Sequence, residues 1–335
     1  MVFVQDSLRK KVLTPSPHMN TTISNPLPDF IYQGLERFSK TANTYHPQPV
    51  ELIEKIAKKH KLSKDMIYLT AGIDEGIQML AKTYGQNAFA FTPTYVVYAD
   101  VEEFGGKLTR LYSIENQEFK IKTDKIEGAT LIFLANPNNP SGVTSRENVI
   151  KLIENNPQAK VVIDEAYGEF ADLSVIDLVE KYPQMIVLRS FSKAYSMAGN
   201  RIGYIVAHPE IINVVKNKSQ WANISYLSAG AAIVALDHEE YFKKIRDDIS
   251  KRRDEFIEFL RGLGYTILPS KINAVLFKFN SESEGIKFTN YLTDNNFIVS
   301  SGNGNSNIGL DQSFLRIAVG NEAQMQVLKD VIEKY

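Results

Sequence analysis

Short apolar runs alternate with amphipathic runs over the first two thirds of the chain. Most of the apolar runs contain β-branched residues and end in polar or small ones, as buried strands do where they enter turns. They cover residues 66–72, 87–95, 107–114, 129–137, 160–168, 185–193 and 203–208. Between several of them lie runs with helical spacing, such as residues 50–61, 74–85 and 146–156. Strands that are apolar on both faces and alternate with helices predict an α/β fold, with a mostly parallel sheet covered by helices.

The last third of the chain follows a different pattern. A long charged amphipathic run at residues 239–264 leads to short apolar runs and then to a final helical run at residues 322–335, which is typical of a smaller α+β unit. We place the domain boundary inside the long helix, near residue 245. The predicted units are an N-terminal arm (residues 1–40), a large domain (41–245) and a small domain (246–335). The first 48 residues are rich in Pro, Ser, Thr and Asn, which favours an extended arm over packed helix.

Composition narrows the classes of function. The chain has 335 residues and a formal net charge of −1, so no electrostatic argument favours nucleic-acid binding. It contains no cysteine, which excludes disulfides and thiolate metal sites and suits a reducing compartment. The N-terminus lacks the apolar core of a signal peptide, and no run approaches the roughly 18 apolar residues that a membrane span needs. We therefore predict a cytoplasmic protein with no nucleic-acid, membrane or metal partner.

Polar and small residues follow the apolar runs where the predicted strands end, and in an open α/β sheet ligands bind outside these carboxyl ends. The segments there are TAGIDEG (70–76), TPTY (92–95), ANPNNPSG (135–142), DEAYG (164–168) and SFSK (190–193). Three of them also have a structural explanation. Residues 70–76 suit a strand–turn–helix junction, residues 135–142 a Pro/Asn turn, and Asp164 a helix cap. Together the segments bring an amine, a guanidinium, hydroxyls, helix N–H groups, a carboxylate, an aromatic ring and an amide to one sheet edge.

This set of groups matches the requirements of pyridoxal phosphate (PLP). The cofactor needs a lysine for its aldehyde and an acid that keeps its pyridine nitrogen protonated. It also needs a donor to its phenolic oxygen, a ring to stack on and a cradle for its phosphate. A helix N-terminus, serine hydroxyls and an arginine make such a cradle. We therefore assign Lys193 to the aldehyde, and Ser190, Ser192 and Arg201 to the phosphate.

The same segments carry a family resemblance. Residues 190–203 (SFSKAYSMAGNRIG) resemble the Schiff-base segment of fold-type I PLP-dependent aminotransferases, S-x-S-K-x(7)-R-x-G. Residues 135–142 resemble the family's N-P-N-N-P-[ST]-G, and residues 164–167 its D-E-A-Y. With TAGIDEGI, FTPTYVVY, NTYHPQP and LRIAVG, seven motifs in family order are similar to the histidinol-phosphate aminotransferase branch. The resemblance implies a mostly parallel sheet of the seven-stranded type, a smaller C-terminal domain and aminotransferase activity.

The resemblance also implies a role for each matching residue. Lys193 is the Schiff-base lysine and the base that moves a proton between the substrate Cα and the cofactor C4′. Asp164 pairs with the pyridinium nitrogen, and Tyr167 is the third residue expected to take part in catalysis. The implied cofactor contacts are Asn139 and Tyr167 at the phenolic oxygen, Tyr95 stacked on the ring, and, at the phosphate, the backbone of Gly72, Ile73 and Asp74 with Ser190, Ser192 and Arg201.

Further implied residues concern the partner subunit and the substrate. Tyr45 is expected to reach the phosphate of the other subunit's cofactor, which implies a homodimer. Arg316 is expected to clamp the substrate α-carboxylate as a bidentate fork, with a strand-end surface ion pair as the alternative. Asn25 is the second residue predicted to bind substrate.

The chain departs from the family pattern near its C-terminal end. The histidinol-phosphate branch is expected to read IVR where this chain reads FIVSS (297–301). Ser300 thus replaces an arginine that would help to hold a substrate phosphate. The loop at residues 300–309 is rich in Gly, Ser and Asn, and it either binds an anion through backbone N–H groups or is flexible.

Three functions are compatible with these observations. The first is an aminotransferase with glutamate as donor and a small keto acceptor, phosphorylated or not; histidinol phosphate and imidazole-acetol phosphate are the family default. The second is a PLP-dependent decarboxylase of a phosphorylated amino acid such as threonine phosphate, which occurs on the same fold with nearly the same cofactor residues. The third is a non-catalytic cofactor-binding regulator. Lys193, Asp164 and the lack of a basic winged-helix segment argue against the third.

Overall fold

A seven-stranded sheet forms the centre of the computed structural model, which describes residues 27–140, 142–302 and 309–335. In chain order its strands are β1 (Ile67–Thr70), β2 (Asn87–Thr92), β3 (Lys107–Tyr112), β6 (Leu131–Ala135), β7 (Lys160–Asp164), β8 (Met185–Ser190) and β9 (Gly203–Ala207). A short hairpin of β4 (Ile114–Glu115) and β5 (Glu118–Phe119) lies between β3 and β6 in the chain.

The strand directions confirm the predicted α/β class. The strand order is β1-β9-β8-β7-β6-β2-β3, and the four pairs from β8 to β3 are parallel. Strand β9 runs antiparallel to both of its neighbours, which the sequence pattern did not predict. A parallel crossover usually runs through a helix that covers a face of the sheet, whereas residues 191–202 contain only the short 3-10 turn Ala198–Asn200. The chain therefore reverses direction after β8.

Helices cover both faces of this sheet. They are α1 (Asp29–Gly34), α2 (Glu36–Ser39), α3 (Val50–His60), α4 (Ile73–Tyr84), α5 (Asp100–Glu103), α6 (Arg146–Asn155), α7 (Pro209–Lys216), α8 (Tyr226–Asp237) and α9 (Glu239–Gly262). Leu131 and Phe133 of β6 pack into one core cluster, and Ile132 and Leu134 into the other. All four are 0% exposed, and burying such a side chain contributes about 1.5–3 kcal/mol. Burial on both faces explains why this strand is apolar throughout.

The C-terminal unit has the predicted α+β pattern. Its elements are β10 (Thr266–Leu268), β11 (Ala274–Lys278), α10 (Glu282–Asp294), β12 (Ser300–Ser301), β13 (Phe314–Ala318) and α11 (Glu322–Glu333). The four strands form an antiparallel sheet in the order β10-β11-β13-β12, which packs with the two helices. Helix α9 runs unbroken through residue 245, and the domain bounds stay predictions. None of the helices in the described ranges is both long and apolar enough to cross a membrane.

Part of the predicted extended arm is helical instead. Helices α1 and α2 bury Ile31 and Phe38 against α8. Phe38 packs edge to face on Tyr226, with ring centroids 5.4 Å apart, and a Cβ at Gly230 would lie 2.5 Å from its ring. Burial of these two apolar side chains outweighs the turn-forming composition of the segment. Residues 1–26 of the arm lie outside the described residues.

Candidate active site

A cavity of about 250 Å³ lies at the carboxyl ends of the parallel strands. Ten residues assigned from the sequence line it, namely Ile73, Asp74, Tyr95, Asn139, Asp164, Tyr167, Ser190, Ser192, Lys193 and Arg201. They meet because parallel neighbouring strands end at the same edge of a sheet. Gly72 and Arg316 contact residues of this lining, whereas Asn25 lies outside the described residues.

Asp164 ends β7 at the cavity and is only 3% exposed. Its carboxylate accepts the O–H of Tyr98 at 2.7 Å and the backbone N–H of Ala166 at 2.9 Å. Burial raises the pKa of Asp164 to about 6, although both hydrogen bonds favour the ionised form. The cost of a buried carboxylate falls when a cation pairs with it. The position therefore suits a protonated ring nitrogen.

Tyr98 is a site residue that the sequence interpretation missed. It is 1% exposed in the short turn Val96–Ala99, and its ring stacks on Phe133 with the centroids 4.6 Å apart. Burial, and then the charge of Asp164, raise the pKa of Tyr98, so its hydroxyl stays protonated and keeps donating. In the sequence nothing separates Tyr98 from an ordinary core aromatic, because only the fold brings it to its carboxylate.

The structure brings the predicted phosphate-binding groups together. Gly72 has a φ of 77° and precedes α4, whose N-terminus has no side-chain cap. The positive φ favours glycine at this position, and a Cβ here would lie 2.5 Å from Nη2 of Arg201, so the guanidinium packs directly on the Gly72 backbone. The hydroxyl of Ser190 accepts the backbone N–H of Ser192 at 3.0 Å. Helix amides, hydroxyls and a guanidinium in one place suit a phosphate.

The side chain of Asp74 makes contacts that the sequence did not indicate. Its carboxylate pairs with Arg201 at 2.9 Å and accepts the O–H of Tyr95 at 2.8 Å. Burial, and then the charge of Asp74, raise the pKa of Tyr95, so this phenol also stays a donor. Asp74 thereby holds both the residue predicted to stack on the ring and the arginine predicted to bind the phosphate.

Lys193 and Tyr167 lie beside each other in the cavity. Nζ of Lys193 is 5.8 Å from the ring centroid of Tyr167, which is 6% exposed. The lysine follows β8 and the tyrosine follows β7, so two neighbouring parallel strands bring the amine and the phenol to one place. An amine beside a phenol and a buried carboxylate can take and return a proton at a bound molecule.

Arg316 reaches the cavity from the small C-terminal sheet. It lies on β13, and its Nη1 donates to the side-chain oxygen of Asn139, which lines the cavity. Burial lowers the pKa of Arg316, yet a guanidinium stays charged at any ordinary pH. A positive fork at the cavity edge is the arrangement expected for binding a carboxylate.

Ser300, the position of the departure from the family pattern, is the register partner of Arg316. Directly paired residues of neighbouring strands point to the same side of a sheet, so the Ser300 hydroxyl lies on the side of the arginine. The next residue, Ser301, pairs with Leu315 and points to the opposite side. Residues 303–308 lie outside the described residues, and both predictions for this loop stay predictions.

Tyr45 does not line this cavity. It is 78% exposed, and its ring lies 5.2 Å from that of Trp221, which is 68% exposed. Trp221 is the only tryptophan in the sequence and was not singled out there. Two large exposed aromatic rings side by side are typical of an interaction surface.

Comparisons with known proteins place this chain in a family. The model for aminotransferase class I and II matches residues 18–332. The histidinol-phosphate aminotransferase of Clostridium botulinum (strain Okra / Type B1) is 30% identical over 331 residues, which cover 93% of this chain and 90% of the relative. That of Sulfurisphaera tokodaii is 33% identical over 279 residues, which cover 78% and 77%.

Solved structures share the fold. Histidinol-phosphate aminotransferase from Sinorhizobium meliloti, in complex with pyridoxal-5′-phosphate, has a TM-score of 0.86 at 23% identity and covers 100% of this chain and 96% of its own. L-threonine-O-3-phosphate decarboxylase from Porphyromonas gingivalis has a TM-score of 0.82 at 24% identity, with 95% and 98% covered. The chain thus belongs to the class I and II aminotransferase family, as a PLP-dependent aminotransferase of fold type I that is similar to histidinol-phosphate aminotransferase.

Proposed function

We propose that this protein transfers an amino group between glutamate and a small keto substrate, with histidinol phosphate and imidazole-acetol phosphate as the first pair to test. The observation that carries the proposal is the shared cavity of Lys193 and Asp164, with Arg316 bonded to Asn139 at its edge. These groups suit covalent chemistry, a cationic ring and an α-carboxylate. A cytoplasmic location is part of the proposal, supported by a sequence without cysteine.

Each of these residues has a defined task in the proposed reaction. When bound, pyridoxal phosphate supplies an aldehyde for the amino group and a cationic ring that withdraws electrons from the substrate Cα. With the cofactor in place, Asp164 would keep the proton on the ring nitrogen, and the amine of Lys193 would take and return the proton at Cα. Tyr167 and Asn139 would bond the phenolic oxygen, and the cradle around Gly72 would hold the phosphate.

The acceptor is tested at Ser300. A charge-assisted hydrogen bond contributes about 1.5–3 kcal/mol. With serine at this position, kcat/KM for histidinol phosphate should therefore be roughly tenfold to a hundredfold lower than with arginine. We expect glutamate to bleach the visible absorbance of the purified enzyme, and Ser300→Arg to raise kcat/KM for histidinol phosphate. The control Ser301→Arg points to the opposite side of the sheet and should give no gain. Strong native activity that falls in Ser300→Arg would show that the phosphate is bound by other groups, such as the 300–309 backbone.

A decarboxylase of a phosphorylated amino acid is the second candidate. Its support is the fold alone, which this chain shares with L-threonine-O-3-phosphate decarboxylase over 95% of its length. The same screen separates the two reactions. Release of carbon dioxide from threonine phosphate or serine phosphate, with no bleaching by glutamate, would favour the decarboxylase.

We also propose a homodimer in which Tyr45 acts at the partner's site. Its support is the exposed pair of Tyr45 and Trp221, which lies apart from the cavity of its own subunit. Because Trp221 is the only tryptophan, its fluorescence reports on this surface alone. A blue shift on raising the protein concentration would accompany burial between two copies.

Mixed dimers give the sharper test of this arrangement. Mixing inactive Lys193→Ala subunits with Tyr45→Phe subunits should raise activity above that of either parent. In each hybrid, one site has its own lysine and the partner's tyrosine, whereas the other site has neither. The control is Tyr112→Phe, which removes the hydroxyl of another exposed tyrosine. On its own, without any Lys193→Ala subunits, this variant should have wild-type activity. A fully active monomer, or hybrids without gain, would contradict the proposal.

A further inference from the structure

A buried ion cluster joins residues that are close in the chain to residues of the cavity lining. Arg189 binds two carboxylates at once: Nη2 is 2.8 Å from Glu165, and Nη1 is 2.8 Å from Glu169. The three side chains are 5%, 1% and 8% exposed, respectively. Glu165 also accepts the hydroxyl of Ser174 at 2.7 Å and the backbone N–H of Val175 at 2.8 Å. The guanidinium therefore ties together two points of the chain between β7 and β8.

The two carboxylates stand on either side of Tyr167. Glu165 and Glu169 are four residues apart, so the one arginine closes the turn that carries the tyrosine. The guanidinium of Arg189 packs closely on the backbone of this turn: a Cβ added at Gly168 would lie only 2.8 Å from its Nη1. The backbone N–H of Gly168 donates to the carbonyl of Glu165 at 2.9 Å and tightens the same turn.

The position of Arg189 connects both halves of the active site. It is the residue before Ser190 on β8, the strand that leads to Lys193. Its partner Glu165 follows Asp164 and donates its backbone N–H to the carbonyl of Leu188 at 2.9 Å. Through these contacts, the strand end that carries the lysine holds the turn that carries the buried carboxylate and the phenol.

We propose that Arg189 is a positioning residue that locks the turn after β7, so that Asp164 and Tyr167 face Lys193 in the cavity. This inference rests on the proposed PLP chemistry for its catalytic consequence, but the hold on the turn itself follows from the contacts of Arg189. No contact with the cofactor or the substrate is part of the role.

Stability alone does not explain this cluster. Replacing a buried ion group by apolar residues of similar volume is often neutral or stabilising, since taking charges out of water is costly. What the ions provide is geometry: a guanidinium is a planar fork that can bond two carboxylates in fixed directions, whereas the lysine ammonium is a point charge on a flexible chain. Arg189→Lys is therefore the informative variant, because it keeps the charge and removes the fork.

The test compares Arg189→Lys with the control Arg110→Lys. Arg110 on β3 also forks onto a carboxylate, with Nη1 3.1 Å and Nη2 2.9 Å from Glu102, at a half-exposed pair on other elements than the turn. Three quantities are measured: hydrogen exchange of residues 164–170 in protein prepared without cofactor, the dissociation constant of PLP, and kcat and KM with glutamate.

In Arg189→Lys we expect faster exchange across the turn, with PLP binding about tenfold weaker and kcat about ten- to a hundredfold lower, since small misplacements of catalytic groups have effects of this size. KM for glutamate should change less than kcat, because Arg316 lies on a different element. Arg110→Lys should match wild type in all three quantities, because a partly exposed pair of this kind contributes little.

A purely structural role predicts that Arg189→Lys lowers the melting temperature but leaves hydrogen exchange, PLP affinity and kcat unchanged. That result would overturn the proposal. Should Arg189→Lys fail to fold, Glu169→Gln removes one arm of the cluster without changing its shape, and the same three readouts decide. If the wild-type protein binds no PLP, the proposed function fails, while exchange across residues 164–170 still tests the hold of Arg189 on the turn.

Discussion

Replacing Lys193 with alanine should remove the covalently bound chromophore and all measurable turnover while the protein stays folded. Lys193 lines the cavity and is only partly buried, so its loss removes little packing. Acid–base catalysis by one residue contributes about 10²–10⁴-fold, and the covalent route is lost as well. Visible absorbance, borohydride trapping with peptide mass spectrometry, and thermal unfolding measure the three parts of this prediction.

The matched control is Lys151→Ala. Lys151 lies on α6 with its side chain 53% exposed and pairs with Glu147 one helical turn away. This variant should keep chromophore, turnover and melting temperature, because an exposed pair of this kind contributes little. A chromophore that persists in Lys193→Ala, and that borohydride still traps, would assign the covalent bond to another lysine.

Asp164→Asn should slow the glutamate half-reaction by at least about 10²–10³-fold, the range observed when one preorganised electrostatic group is removed. Asparagine keeps the shape and can still accept the bond from Tyr98, but it cannot hold a ring nitrogen protonated. Single-turnover absorbance measures the rate, and titration measures the weaker binding of PLP. Asp177→Asn, at an exposed aspartate paired with Arg146, is the control and should behave as wild type. Normal turnover in Asp164→Asn would make Asp164 a structural residue.

The raised pKa of Asp164 gives the same variant a pH signature in protein prepared without cofactor. Its pKa is about 6 in the folded protein and near 3.8 in the unfolded chain, so between these values the folded state holds more protons. The contribution of Asp164 to the free energy of unfolding therefore falls as pH rises from about 4 to 6, by up to about 1.4 kcal/mol per pH unit. The variant Asp164→Asn has no titrating carboxyl group here. In chemical denaturation from about pH 4 to 6, the free energy of unfolding should therefore fall more in wild type than in the variant. Parallel pH curves would mean that the carboxyl group is not desolvated.

Much of the active site was predictable because its residues lie in short local patterns. Lys193, Ser190, Ser192 and Arg201 occur within one segment of fixed spacing, and Asp164 ends an apolar strand. Residues at a strand end and in the turn after it stay close together in the fold, since they are neighbours in the chain. In the structure these five residues line one cavity, and the roles assigned to them stay predictions.

Other features could not be predicted, because tertiary packing decides them. The composition of the N-terminal segment indicated extended chain, yet Ile31 and Phe38 gain enough burial on α8 to hold two short helices there. The reversal of β9 follows from a connection that forms no crossover helix, and the apolar pattern of a strand is the same in either direction.

By itself, the sequence determined the α/β alternation, the strand ends that carry chemistry and the motifs of the aminotransferase family. Only the tertiary structure decided which buried polar groups meet. Tyr98 and Asp164 are 66 residues apart in the chain, and Arg201 and Asp74 are 127 apart. A buried hydrogen-bonding group must find its partner wherever the fold brings one, and hydrophobic periodicity reports which face of an element is buried but not what lies opposite. Arg189, one residue before an obvious motif, shows the same limit, because its two carboxylate partners identify it only after the chain has folded.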